Sequence, residues 1–188
     1  MTRSLGARMR PILGLMLLVL APLVGTGIAE AQERLEGIIE RPSGGTSGRW
    51  PFTIRIETYT SDEEADESLR VLREQGARAM QDRLVDLDRA RFQITGQRSV
   101  NIGEVRSIPT GDGGRILRFM AGGELEISGA GVGRDSEPMF SIIELQLDEQ
   151  GEGAGAVYAA ATIELDGDDG LVIENLTPPY QVTTVKVR

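Results

Sequence analysis

A chain of 188 residues with 29 acidic and 20 basic side chains carries a net charge of −9. That charge repels nucleic-acid phosphates and anionic membrane surfaces and argues against either as a partner. It holds no histidine and no cysteine, which removes Ser-His-Asp and Cys-His nucleophiles, the histidine proton shuttle, the usual zinc and copper ligands and thiol redox chemistry. Carboxylate chemistry, oxygen-ligated metals and binding without catalysis remain.

The chain starts on an address. Arg3, Arg8 and Arg10 precede an apolar run from Ile12 to Ala21, and a looser stretch through Pro22 and Gly25 leads to Ala29-Glu30-Ala31. This is the three-part pattern of a secretory signal peptide. A spanning helix needs about 20 consecutive apolar residues, more than the dense run supplies. Cleavage after Ala31 leaves residues 32–188 as a single mature α+β domain, more acidic than the whole chain because the leader takes three arginines with it. The expected location is secreted or periplasmic, free of the membrane once the leader is gone.

Arg34 to Glu40 predicts a first strand, and Arg41 to Gly48 a loop. From Trp50 to Thr58, Trp50, Phe52, Ile54 and Ile56 share one face and Thr53, Arg55 and Glu57 the other, the period-two pattern of a half-buried strand. Ser61-Asp62-Glu63-Glu64 then reads as a capping box, with acidic residues where a helix N-terminus favours them. Ala65, Leu69 and Leu72 follow at helical spacing. After Gly76, a kink or a true turn, Met80, Leu84 and Leu87 mark a second helical stretch. About 25 helical residues are expected here and little helix afterwards.

The remainder reads as strands and turns. Phe92 to Ile94 and Ser99 to Ile108 flank Gly96, and the turn Thr110 to Gly114 leads into Arg115 to Met120. A short strand is expected over Glu124 to Ile127. Phe140 to Leu147 pairs with Ala154 to Leu165 across Asp148 to Gly151. A hairpin at Asp166 to Gly170 leads into Leu171 to Leu176, and Tyr180 to Val187 closes the chain after Pro178-Pro179. The fold class predicted is α+β: a mostly antiparallel sheet curled into a sandwich or partly closed barrel, with one early helical segment packed on it. The aromatics Trp50, Phe52, Phe92, Phe119 and Phe140 are expected in the core.

Three patterns raise chemistry. Asp166, Asp168 and Asp169 offer oxygen ligands for calcium in a short loop, although the spacing departs from an EF-hand and a solvated hairpin explains it as well. Otherwise no cofactor is expected. Glu144, Glu164 and Glu174 lie on consecutive predicted strands, the layout of a carboxylate hydrolase, but alternation sets Glu144 and Glu164 on the solvent side. Ala154, Ala156, Ala159, Ala160 and Ala161 leave one strand with little side-chain volume, suited to close helix packing or to lining an apolar pocket. Gly129, Gly131 and Gly133 lack the lysine and the strand-to-helix context of a phosphate loop.

Arg49-Trp50-Pro51-Phe52-Thr53-Ile54-Arg55-Ile56, followed by Tyr59-Thr60-Ser61-Asp62-Glu63-Glu64, resembles a motif of small exported proteins of environmental bacteria. The stretch Arg106 to Arg115 and the closing strands are similar too. No activity, cofactor or site residue comes with that resemblance. The leading expectation is an exported, soluble, non-enzymatic domain that binds a small molecule, a polymer or an envelope protein. The alternatives are a carboxylate-based hydrolase acting on an envelope substrate and a calcium-stabilised adhesion module.

Overall fold

The computed structural model describes residues 32–41, 48–127, 138–166, 170–175 and 177–188. The leader, the Gly129–Gly133 stretch and the carboxylates Asp168 and Asp169 lie outside these residues.

Strand β1 (Glu33–Glu40) pairs antiparallel with β2 (Arg49–Ile56). The alternation in β2 buries Phe52, Ile54 and Ile56 together, as the pattern requires. Trp50 does not follow them inside. It is half-buried at the rim, edge-on to Tyr180 with ring centroids 5.9 Å apart and with the Arg41 guanidinium 6.0 Å from its ring. Its position near the end of the strand explains this, since the interior is filled further along.

The chain then leaves the sheet for two helices, α1 (Asp62–Gln75) and α2 (Ala77–Asp86), and returns in β3 (Ala90–Ile94) beside β2. The capping box forms: the Glu64 amide donates to Ser61 Oγ, and the Ser61 amide donates to the Glu64 carboxylate at 2.9 Å. Gly76, with φ +85°, is a true break, because one residue in that conformation ends the first helix and caps the second.

Next come β4 (Val100–Ile102), β5 (Glu104–Pro109) and β6 (Arg115–Gly122). The single strand expected over Ser99 to Ile108 is split at Gly103: β4 pairs with β3, and β5 pairs with β6. Glu124 to Ile127 is not a strand. Gly123 (φ +137°) turns the chain off β6, and Leu125 donates one amide bond to the Ala159 carbonyl while Leu125 and Ile127 plug the interior. Strands β7 (Phe140–Leu147), β8 (Glu152–Asp166), β9 (Gly170–Asn175) and β10 (Tyr180–Val187) complete the sheet.

The order is β4-β3-β2-β1-β10-β8-β7-β6-β5, antiparallel throughout, with β9 added to the far half of β8. The two end strands are separated in the chain by Gly103 alone, so the sheet curls until its ends come close, although β4 and β5 do not pair and the sheet stays open. Its concave face encloses one core, built from residues such as Leu35, Ile54, Phe92, Leu117, Phe119, Ile143 and Val157. The helices cover part of the convex face and form a second, smaller core with Val71, Leu72, Met80, Leu84, Phe140 and Ile163. Phe140 therefore belongs to this outer cluster and not to the interior.

Close helix approach is achieved by glycine, not by the alanine strand. A Cβ on Gly103 would overlap the Leu84 carbonyl oxygen, and one on Gly122 would overlap that of Gln81. Helix α2 thus rests directly on the backbone where the ends of the sheet come close. In β8, Ala159, Ala160 and Ala161 are buried. Ala154 and Ala156 line a shallow outer groove with Gly155, Glu144 and Gln146.

Candidate functional site

Two polar clusters stand out, and they do different work. At one mouth of the curled sheet the Tyr59 hydroxyl donates to Glu33 at 2.6 Å, and Arg115 bonds both Glu33 and the Tyr59 oxygen. Burial, followed by the Glu33 carboxylate, raises the Tyr59 pKa, so the phenol stays protonated. Three separate parts of the chain meet here: the start of β1, the segment after β2, and the start of β6. The three side chains bond one another, and the cluster reads as a seal.

The second cluster lies on the convex face, in a cleft of about 380 Å3. Helix α1 forms one wall with Ala65, Ser68, Leu69 and Leu72. The floor is the outward face of β5 and β6, where alternation sets Glu104, Arg106 and Ile108 beside Arg118 and Met120. The far wall comes from the two-stranded arm of β8 and β9, through Ile163 and Ile173. The arm exists because β8 runs 15 residues and outreaches β7, whose pairing begins at Phe140 opposite Ala161. Ile108 and Ile173 are 39% and 42% exposed, large apolar side chains left open to water at the edge of this cleft. Leu165 and Val172 are exposed further along the arm. Val172 alternates to the other face of the arm, so the apolar edge of the cleft is Ile108 and Ile173, and exposed apolar side chains lining a cleft mark a binding position more often than scattered ones do.

Polar groups converge on the floor. Ser68 is buried; its hydroxyl accepts from Arg83 Nε at 3.3 Å and faces the Glu104 carboxyl. Burial is the largest influence on Glu104 and raises its pKa, although Ser68 and the charges of Arg106, Arg83 and Arg118 pull the other way. Arg106 donates to Asp62 at 2.7 Å and to the Ser61 carbonyl at 3.2 Å. Arg118 donates twice to Glu144, at 2.8 and 3.1 Å. Asp66 also lines the cleft and joins no ion pair among the described residues.

The residues singled out from the sequence do not assemble into a site. Glu144 is held by Arg118 across the sheet, while Glu164 and Glu174 are exposed on the arm. Of the calcium candidates, Asp166 ends β8 and only its backbone is described, while Asp168 and Asp169 fall in the undescribed turn. Among the described residues no three acidic side chains converge as a metal site. Glu104 and Ser68 were missed. The apolar Val105 and Ile108 marked their strand, but nothing in the sequence shows that α1 folds over its polar face.

No family model matches the chain, and no curated protein or solved structure matches it. The site's chemistry is therefore argued from its own geometry.

Proposed function

We propose that this protein is an exported binding module of the cell envelope or extracellular space, and that the cleft beneath α1 is where it holds its ligand. The observation that carries the reading is that apolar wall: Leu69, Ile108, Met120 and Ile173 face an open cleft large enough for a small molecule, while the sheet's own interior is filled by side chains. Export rests on the leader pattern of residues 1–31. A mature form that starts at Gln32 after secretion, identified by N-terminal sequencing of the secreted or periplasmic fraction, tests it. An intact Met1 terminus on protein recovered from the cytoplasm contradicts it.

The binding reading is tested by titrating 1-octanol into the full chain by calorimetry. Saturable binding that is lost in Leu69→Glu, with the far-ultraviolet circular dichroism unchanged, supports it. Binding that survives the substitution contradicts it.

A second reading, a carboxylate hydrolase, draws on one observation: Glu104 is held towards its protonated form in a cleft that Asp66 also lines. Hydrolysis of an envelope polymer that is abolished in Glu104→Gln would establish that reading over the first.

A further inference from the structure

We infer that the outward face of β1, β2 and β3 is a second binding site, for a short stretch of an acidic polysaccharide, held by a row of arginines that runs across the strands. The inference is independent of the α1 cleft.

Strand register builds the row. Arg34 lies directly opposite Arg55, and Arg55 directly opposite Arg91. Arg188 extends the row beyond β10, where its amide donates to the Arg34 carbonyl at 2.8 Å. Neighbouring strands lie about 4.8 Å apart, so the four arginines cross about 14 Å of sheet. All four side chains are more than half exposed. Like charges directly opposite one another on a sheet face are destabilising. In a chain with 29 acidic residues to 20 basic ones, two such contacts in succession work against stability. A bound anion offsets them.

The carboxylates beside the row do not cancel it. Arg34 and Arg188 share Glu36, Arg55 has Glu57, and Arg91 has Asp88, three acids for four cations. Exposed pairs of this kind are individually weak and exchange readily. A shallow groove of about 270 Å3 follows the row, lined by Arg34, Arg55 and Arg91 with Thr53, Gln93 and Ser99. None of the three carboxylates lines it. Every side chain in this lining can donate a hydrogen bond, and none is apolar. Guanidinium forks match carboxylates with two parallel bonds, while the hydroxyls and the amide suit sugar hydroxyls. A single nucleic-acid strand would want aromatic faces for its bases, and Phe52 and Phe92 of these strands are buried in the interior. The net charge of −9 repels a long polyanion at a distance, which limits the site to a few sugars in contact with the row.

The experiment is calorimetry on the full chain at low salt with tetragalacturonate, galacturonate, maltotetraose and a short oligothymidylate. Tetragalacturonate should bind about tenfold tighter than galacturonate, because linked carboxylates engage successive arginines. Maltotetraose, its uncharged counterpart, should not bind. The tetragalacturonate affinity should fall about tenfold in Arg55→Gln, at the centre of the row, and stay unchanged in Arg49→Gln, further along the same face of β2. The melting temperature of Arg55→Gln should equal or exceed the parent's, since a like-charge contact is removed. Leu69→Glu should leave tetragalacturonate binding intact, which separates this site from the α1 cleft. Tetragalacturonate failing to bind, binding equally well to Arg55→Gln, or binding no tighter than maltotetraose overturns the inference and leaves the cleft reading untouched. Oligothymidylate binding tighter than tetragalacturonate overturns it in favour of a nucleic acid.

Discussion

The two apolar clusters of this molecule are built from the same residue types and end differently. Inside the curled sheet, every strand except β9 contributes side chains, the segment 124–127 plugs one end, and Leu35, Ile54, Leu117, Phe119, Ile143 and Leu145 are fully buried. On the outside, two short helices and the β8–β9 arm cover part of one convex face, and the layer stops short of closing. Leu69, Ile108 and Ile173 are left beside a cleft instead of in a core. The difference teaches that the sheet fills its own interior while the incomplete second layer leaves apolar side chains open at a cleft.

Truncation separates the two regions most sharply. Phe119→Ala should cost about 3–5 kcal/mol in chemical denaturation, because the filled interior cannot collapse around the missing ring. Leu69→Ala, at the half-buried cleft wall, should cost less than about 1 kcal/mol yet weaken ligand binding. Equal losses at the two positions would break the comparison. The junction between the layers comes next. Gly103→Ala forces a methyl into the Leu84 carbonyl and should cost about 1–3 kcal/mol, read from the urea midpoint, by lifting α2 from the sheet. At the helix start, Ser61→Ala removes one half of the capping box and should cost about 1 kcal/mol.

The smallest effect is a pH dependence. Because Glu104's pKa is raised in the folded state, the native protein holds its proton after the unfolded chain has released its own. Stability is therefore lost as pH rises from the ordinary carboxylate value of 4.5 through the raised one, and the loss is complete above it. Glu104→Gln should remove this slope, so that its melting temperature gains on the parent's between acidic and neutral pH. Parallel melting curves across that range would show that Glu104 is not strained by burial.

Much of the sheet was legible because its signals are local. Alternation in Trp50 to Ile56, the Ser61–Glu64 box, and the turns at Thr110 to Gly114 and Asp148 to Gly151 each specify their own few residues. What escaped depends on partners distant in sequence. Strand β10 inserts between β1 and β8, a pairing that no pattern within Tyr180 to Val187 announces. Gly103 looks like any strand glycine until α2 is placed on it. The cleft was illegible for the same reason: Glu104 reads as a solvent-face residue of an amphipathic strand, and only the placement of α1 across the cleft from β5 half-buries it. The patterns that did attract attention, Glu144 and the acidic turn after Leu165, were prominent for their composition. Glu144 proves to be the partner of Arg118.

The most direct test of a solid interior beneath an open outer cleft is methyl-resolved NMR of the full chain during a 1-octanol titration. The account predicts shifts at Leu69, Leu72, Ile108, Ile163 and Ile173, with Leu35, Ile54, Leu117, Ile143 and Leu145 unmoved. Shifts concentrated on the second group, with the first group silent, would place the ligand inside the sheet and contradict it.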